Sequence, residues 1–196
     1  MSLYSLVASN PFYLRIRESK ADRRASDVFP GDVSGLILDF GCGDLRVGEV
    51  ISERNPDAKI VGIDRIITQN NSDFVQGDVL KLPFHDNVFD YVFAIGALHH
   101  NNDVPSQLNE IYRVTKGGGE FILSEETYVT GLGRIMLSLN DIAHNFWKQK
   151  PHLYFTFQTY NEWKKMVESA GFKFKQASKK KAHLGLMTYY VFRFGK

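Results

Sequence analysis

The chain has 196 residues, 43% hydrophobic and 23% charged, with a net charge of +2 and one cysteine. That suits one ordinary soluble domain. It excludes a transmembrane helix, which needs ~20 continuous apolar residues, and a disulfide framework or multi-cysteine zinc site. The N-terminal apolar stretch is too short for a signal peptide, so a cytoplasmic protein is expected.

The small net charge hides an asymmetry. Through Glu126 there are 12 Lys/Arg against 19 Asp/Glu, a balance of −7; from Thr127 onward 12 face only 3, a balance of +9. The basic end is either a solvated lysine-rich face or a surface that meets an anionic partner, because such a field steers negative ligands.

Taken in chain order, Asn10-Pro11 reads as a helix start, with the helix ending before Phe29-Pro30-Gly31. Short, continuously apolar runs follow at 35–40, 59–64, 73–78, 89–95 and 120–126. They suit strands buried on both faces of a parallel sheet. Helices are predicted from Leu45 to Arg54 and from Val104 to Val114, the second capped by Asp103. The alternation predicts a doubly wound, Rossmann-like α/β domain. From Thr127 to about Gln158 an extra segment carries Leu132, Ile135, Met136, Leu139 and Ile142 at helical spacing. Such a stripe packs on the body or forms part of a lid, because ligands bind at the carboxyl edge of these sheets. Thr159 and Glu162 then form a capping box for a helix that stops at Gly171. Two final strands joined by Lys181–Leu184 read as an antiparallel hairpin. The expected organisation is a single domain over 1–196, with a helical segment at 1–34, a core at 35–126, a lid insertion at 127–158 and a C-terminal helix and strand pair at 159–196.

The candidate site begins at Asp39-Phe40-Gly41-Cys42-Gly43, where the first strand gives way to a helix. Glycines there allow close backbone approach to a ligand. The dinucleotide pattern G-x-G-x-x-G fails, because Arg46 stands at its sixth position. The residues LDFGCG, VGIDR, VQGDVLKLPF, FDYVFAIGALHH and EIYRVTKGGGEFIL follow one another in order. Together they resemble the class I S-adenosylmethionine-dependent methyltransferase superfamily from about Ile37 to Glu125, in a form like its type 11 group. The resemblance implies a seven-stranded sheet, S-adenosyl-L-methionine as cofactor and S-adenosyl-L-homocysteine as product. It implies cofactor contacts from Asp39, Gly41, Cys42, Gly43, Asp64, Arg65, Asp78, Val79 and Ala94.

The residue types suit those roles. A carboxylate such as Asp64 accepts from two ribose hydroxyls, and one such as Asp78 accepts from an exocyclic amine. Asp39 contacts the cofactor's amino group or braces the loop. The chain departs from the family at Asp44-Leu45, where a small residue and a third glycine are usual; Asp44 is expected to cap the following helix. A G-C-G-D loop, a short connection after Asp64 and the C-terminal strand pair are features shared with nucleomethylin-type ribosomal-RNA methyltransferases.

No residue is fixed as a catalytic base, since methyl transfer rests largely on alignment. His99 and His100 are the candidates. Glu125 and Glu126 end the fifth strand, where they face substrate or cap the lid. His144, Trp147, Lys148, Lys150, His152, Tyr154 and Phe157 are either lid core or a nucleotide-stacking set. No metal-ligand spacing occurs. The leading expectation is a methyltransferase acting on a small molecule. The alternatives are an RNA methyltransferase and a non-catalytic partner-binding domain on the same fold.

Overall fold

The structure, a computed structural model, describes residues 11–66, 73–145, 156–182 and 187–196. Seven strands, β1 (Gly35–Phe40), β2 (Ala58–Asp64), β3 (Phe74–Gln76), β4 (Phe89–Ile95), β5 (Thr115–Glu126), β6 (Lys173–Ala182) and β7 (Met187–Gly195), form one sheet in the order β3-β2-β1-β4-β5-β7-β6. The first five are parallel; β7 lies antiparallel between β5 and β6.

The runs that form β1, β2, β4 and β5 behave as strands covered on both sides, whereas the run at 73–78 forms only the three-residue edge strand β3, with no buried residue. Leu38, Phe40, Val92, Ala94, Phe121 and Leu123 pack into one core, while the intervening Ile37, Phe93 and Ile122 pack into a second. That is the period-2 alternation of a strand, and each fully buried side chain of this size contributes ~1.5–3 kcal/mol. The first core is closed by α3 (Val104–Val114) and α5 (Tyr160–Ser169), through Leu108, Ile111, Trp163 and Val167. The second is closed by α1 (Pro11–Val28) and α2 (Arg46–Arg54), through Ala25, Val28 and Ile51. One further helix, α4 (Gly131–Asn145), follows β5.

The expected caps form. Asp103 accepts from Ser106 N at 3.1 Å, and Thr159 and Glu162 make both bonds of the capping box. Gly171 has φ +108°, and a Cβ there would meet the Tyr112 ring at 2.9 Å. Two strands are longer than the sequence predicts. β5 starts at Thr115 because Gly118 turns at φ +82° and Gly119 passes close to the Asp90 carbonyl, an approach any side chain would block. β6 runs through the lysines to Ala182, so the hairpin connection shifts to 183–186, outside the described residues.

Docking of α1 uses a polar contact that no local pattern announces. Arg24, only 5% exposed, donates to Ser124 Oγ at 2.9 Å and to Glu126 Oε1 at 3.2 Å, and its guanidinium lies over the Tyr189 ring. Tyr189 donates in turn to Asp27 on the same helix. A buried guanidinium needs such a set of acceptors to offset its desolvation.

Candidate active site

The carboxyl ends of β1, β2, β4 and β5 meet at one edge of the sheet, and the glycine loop is fastened there. The amides of Gly41 and Cys42 both donate to the Ile63 carbonyl, at 2.8 and 3.1 Å. The amide of Gly43 donates to Asp64 Oδ2 at 2.9 Å, while Asp64 Oδ1 accepts from Ile66 N at 3.2 Å. Gly41 has φ +69°, and a Cβ on it would lie 2.5 Å from the Ala97 Cβ, so the loops after β1 and β4 touch. Asp64 therefore braces the loop with the same carboxylate that the sequence assigns to a ligand.

Asp44 does not cap α2. The capping position is Leu45, with φ 57° and no side-chain cap, and Asp44 pairs with Arg46 Nε at 3.3 Å. A left-handed backbone at a leucine costs ~1–2 kcal/mol. Its side chain, 3% exposed, packs against Gly62 and Gly48, where no Cβ stands in the way. The loop thus keeps a left-handed turn, built on leucine and compensated by packing.

Beneath the loop lies Asp39, 4% exposed, whose Oδ2 has no hydrogen-bond partner. Burial, and then the neighbouring Asp64 charge, push its carboxyl well above the usual carboxylate range, against a smaller lowering from the Gly48 amide. The Cys42 thiol is pushed up too, by burial first and then by Asp39 and Asp64, which keeps it protonated and poor as a nucleophile.

The other predicted residues divide. Asp78 Oδ1 accepts from Leu80 N at 2.9 Å, forming a turn on the exposed end of β3, and Val79 is buried beside it. Arg65 is exposed directly after β2. Ala94 is fully buried between Phe40 and Leu123, its neighbours across the sheet. The E-x-x-R pattern serves this region from behind: Glu110 accepts from Leu82 N at 2.7 Å, and Arg113 donates to the Leu82 and Phe84 carbonyls, to Asp86 and to Glu110. It staples the loop after Asp78 to α3. The Arg113 guanidinium holds the Glu110 carboxyl below its usual range.

The turn after β4 contains a contact that sequence reasoning missed. Glu125 is wholly buried; its Oε1 accepts from the Ala97 and Leu98 amides at 3.0 and 2.9 Å, and its Oε2 lies 2.6 Å from His99 Nδ1. His99 stacks on Phe157 at 4.4 Å and lies 4.1 Å from the His100 ring. Thr156 N donates to the His99 carbonyl at 3.3 Å, and its Oγ1 lies within reach of the His99 and Asn101 carbonyls. Thr156 and Phe157 are therefore seated on His99. His99, Glu125 and Glu126 bring potential ligand atoms within 4.8 Å of one another, which no spacing in the sequence suggested. The turn amides, His99 and Arg24 already engage those carboxylates. Of the remaining candidates, the side chain of His144 and residues Trp147, Lys148, Lys150, His152 and Tyr154 lie outside the described part.

Residues 38–123 match the family described as "Methyltransferase domain". The match spans β1 to β5, which contain every motif quoted from the sequence. The likeness to that family covers just under half of the chain. Among curated proteins it is 37% identical over 122 residues to the sterol 24-C-methyltransferase erg6 of Schizosaccharomyces pombe, covering 56% of this chain and 32% of that one. It is 36% identical over 112 residues to the demethylmenaquinone methyltransferase of Symbiobacterium thermophilum, covering 49% and 43%. The chain thus spans under half the length of these relatives. Two solved structures share the fold. Burkholderia thailandensis 1,6-didemethyltoxoflavin-N1-methyltransferase, with bound 1,6-didemethyltoxoflavin and S-adenosylhomocysteine, has a TM-score of 0.66 at 18% identity, over 98% of this chain and 88% of that one. The [4+2]-cyclase SpnF also has a TM-score of 0.66, at 15% identity over 90% and 80%.

Proposed function

We propose that this domain transfers a methyl group from S-adenosylmethionine to a small, largely apolar molecule. The observation that carries the reading is the buried, unpartnered Asp39 Oδ2 beneath a glycine loop pinned to Asp64. An acceptor stored without a donor fits a cationic amino group, and a carboxyl pushed up by burial ionises when such a cation arrives. Asp64, with two oxygens and several lone pairs, has acceptor capacity beyond Gly43 and Ile66 for vicinal hydroxyls. Gly41, Cys42 and Gly43 bring backbone to the ligand, Arg65 and the Asp78-Val79 turn flank the nucleoside end, and Ala94 forms the floor.

When bound, the cofactor supplies an electrophilic methyl group on a sulfonium, and the surrounding −7 half of the chain suits that cation. His99 and His100 stand where the acceptor enters. Glu125 holds the Nδ1 side of His99 and Phe157 covers its ring, so the imidazole is oriented and shielded from bulk water. That arrangement suits a group that aligns an acceptor or takes its proton. Relatives named for a sterol and for demethylmenaquinone support an apolar acceptor.

The test uses methyl-labelled S-adenosylmethionine with hydroxylated quinone precursors and sterols. Label recovered in the organic phase, and lost in Asp64→Ala, supports the reading; no transfer and no cofactor binding contradict it.

A further inference from the structure

Helix α4 packs on the body through Leu137, while Leu132, Ile135, Met136 and Leu139, at i, i+3, i+4 and i+7, are each more than half exposed. Just ahead of it Val129 is 94% exposed, and Ile66 is exposed directly after β2. Six of the seven exposed large apolar side chains among the described residues therefore lie in segments that leave the carboxyl edge. An exposed stripe this continuous marks an interaction surface.

Its surroundings are cationic. Tyr189 pairs with both Glu126 on β5 and Lys180 on β6, which brings the lysine run Lys179–Lys181 level with the end of β5, about 10 Å away across two strand spacings. Lys180 turns to α1, where it pairs with Asp27 at 2.8 Å. Lys179 and Lys181, on the opposite face, are exposed. Lys179 lies across from Tyr190, whose ring packs on Tyr160 in the first turn of α5. The apolar stripe follows the end of β5 in the chain and the exposed lysines lie level with that end, in the half of the chain with a balance of +9.

We propose that this edge docks on an anionic phospholipid surface, with the α4 stripe in the acyl boundary and Lys179 and Lys181 against the headgroups. A helix lying in the interface needs this pairing of an apolar face with cationic flanks, and basic residues near the surface add attraction to anionic lipid. Among the described residues no helix is long and apolar enough to cross a membrane, so the association is peripheral. Docking presents the carboxyl edge to the bilayer; that an acceptor enters from the lipid rests on the methyltransferase reading, whereas docking itself does not.

The experiment is sedimentation of the full chain, without cofactor, with phosphatidylcholine vesicles and with vesicles one-third phosphatidylglycerol. Wild type is expected to pellet with the mixed vesicles and to be released by salt. The triple variant Leu132→Ser/Ile135→Ser/Leu139→Ser should bind about tenfold or more weakly to both. Lys179→Glu/Lys181→Glu should lose the preference for anionic lipid, each variant being checked for an unchanged melting temperature. Three results overturn the proposal: wild type remaining in solution with both vesicles, binding that neither variant weakens, or a wild-type dimer that the triple variant dissolves. Retention by RNA with no vesicle binding overturns it as well.

Discussion

The glycine loop and helix α4 leave the same end of the sheet and are built in opposite ways. The loop is held by amides donating to Ile63 and Asp64, by contact between Gly41 and Ala97, and by Leu45 buried over Gly62. It keeps a strained backbone and a carboxylate oxygen without a partner in place because its surroundings over-determine it. Among the described side chains of helix α4 only Leu137 is buried, while Leu132, Ile135, Met136 and Leu139 face solvent. The difference separates a preorganised loop, which we propose cradles the cofactor, from a surface that awaits something to cover it.

Substitutions should tell the two apart. The largest effect is expected at Gly41→Ala, which combines a positive φ with a clash at Ala97; unfolding in urea should show a loss of about 2–4 kcal/mol. A loss under about 0.5 kcal/mol would show that the loop yields more easily than its contacts suggest.

Asp39→Asn sharpens the comparison through pH. In the folded chain the Asp39 carboxyl titrates above its unfolded value, so the folded state binds the extra proton. Its contribution is fully present below the unfolded pKa and is lost as pH rises through the raised folded one. Urea unfolding across the acidic to neutral range should therefore show wild type losing this part of its stability on the way up, and Asp39→Asn lacking that loss. Parallel profiles would mean that Asp39 carries no strained charge. The smallest effect belongs to α4: Leu139→Ser should change stability by about 0.5 kcal/mol or less, and a loss of 2 or more, about what a buried Leu costs, would place that side chain in a core.

Much of this was legible in the sequence. Continuous apolar runs located β1, β2 and β4, and Asp103, Thr159 with Glu162, and Gly171 marked helix ends, because caps and buried strands are local signals. The ordered motifs brought Gly41, Gly43, Asp64 and Asp78 to one edge. What stayed hidden is long-range. Arg24 meets Ser124 and Glu126 across a hundred residues, and Glu125 holds the turn of His99. The amphipathic stripe told which side of α4 is apolar but not what covers it, and three consecutive lysines hid the end of an edge strand. Asp44 misled because the competing solution, a left-handed Leu45, depends on the space left by Gly62.

The central claim, that the leucine-built loop is a working cofactor site, is tested most directly by calorimetric titration of the wild type and Asp64→Ala with S-adenosylmethionine and S-adenosylhomocysteine. Saturable binding of both ligands to the wild type, weakened about tenfold to a hundredfold in Asp64→Ala, is the predicted result. No binding to the wild type, or equal binding to the two proteins, would contradict it.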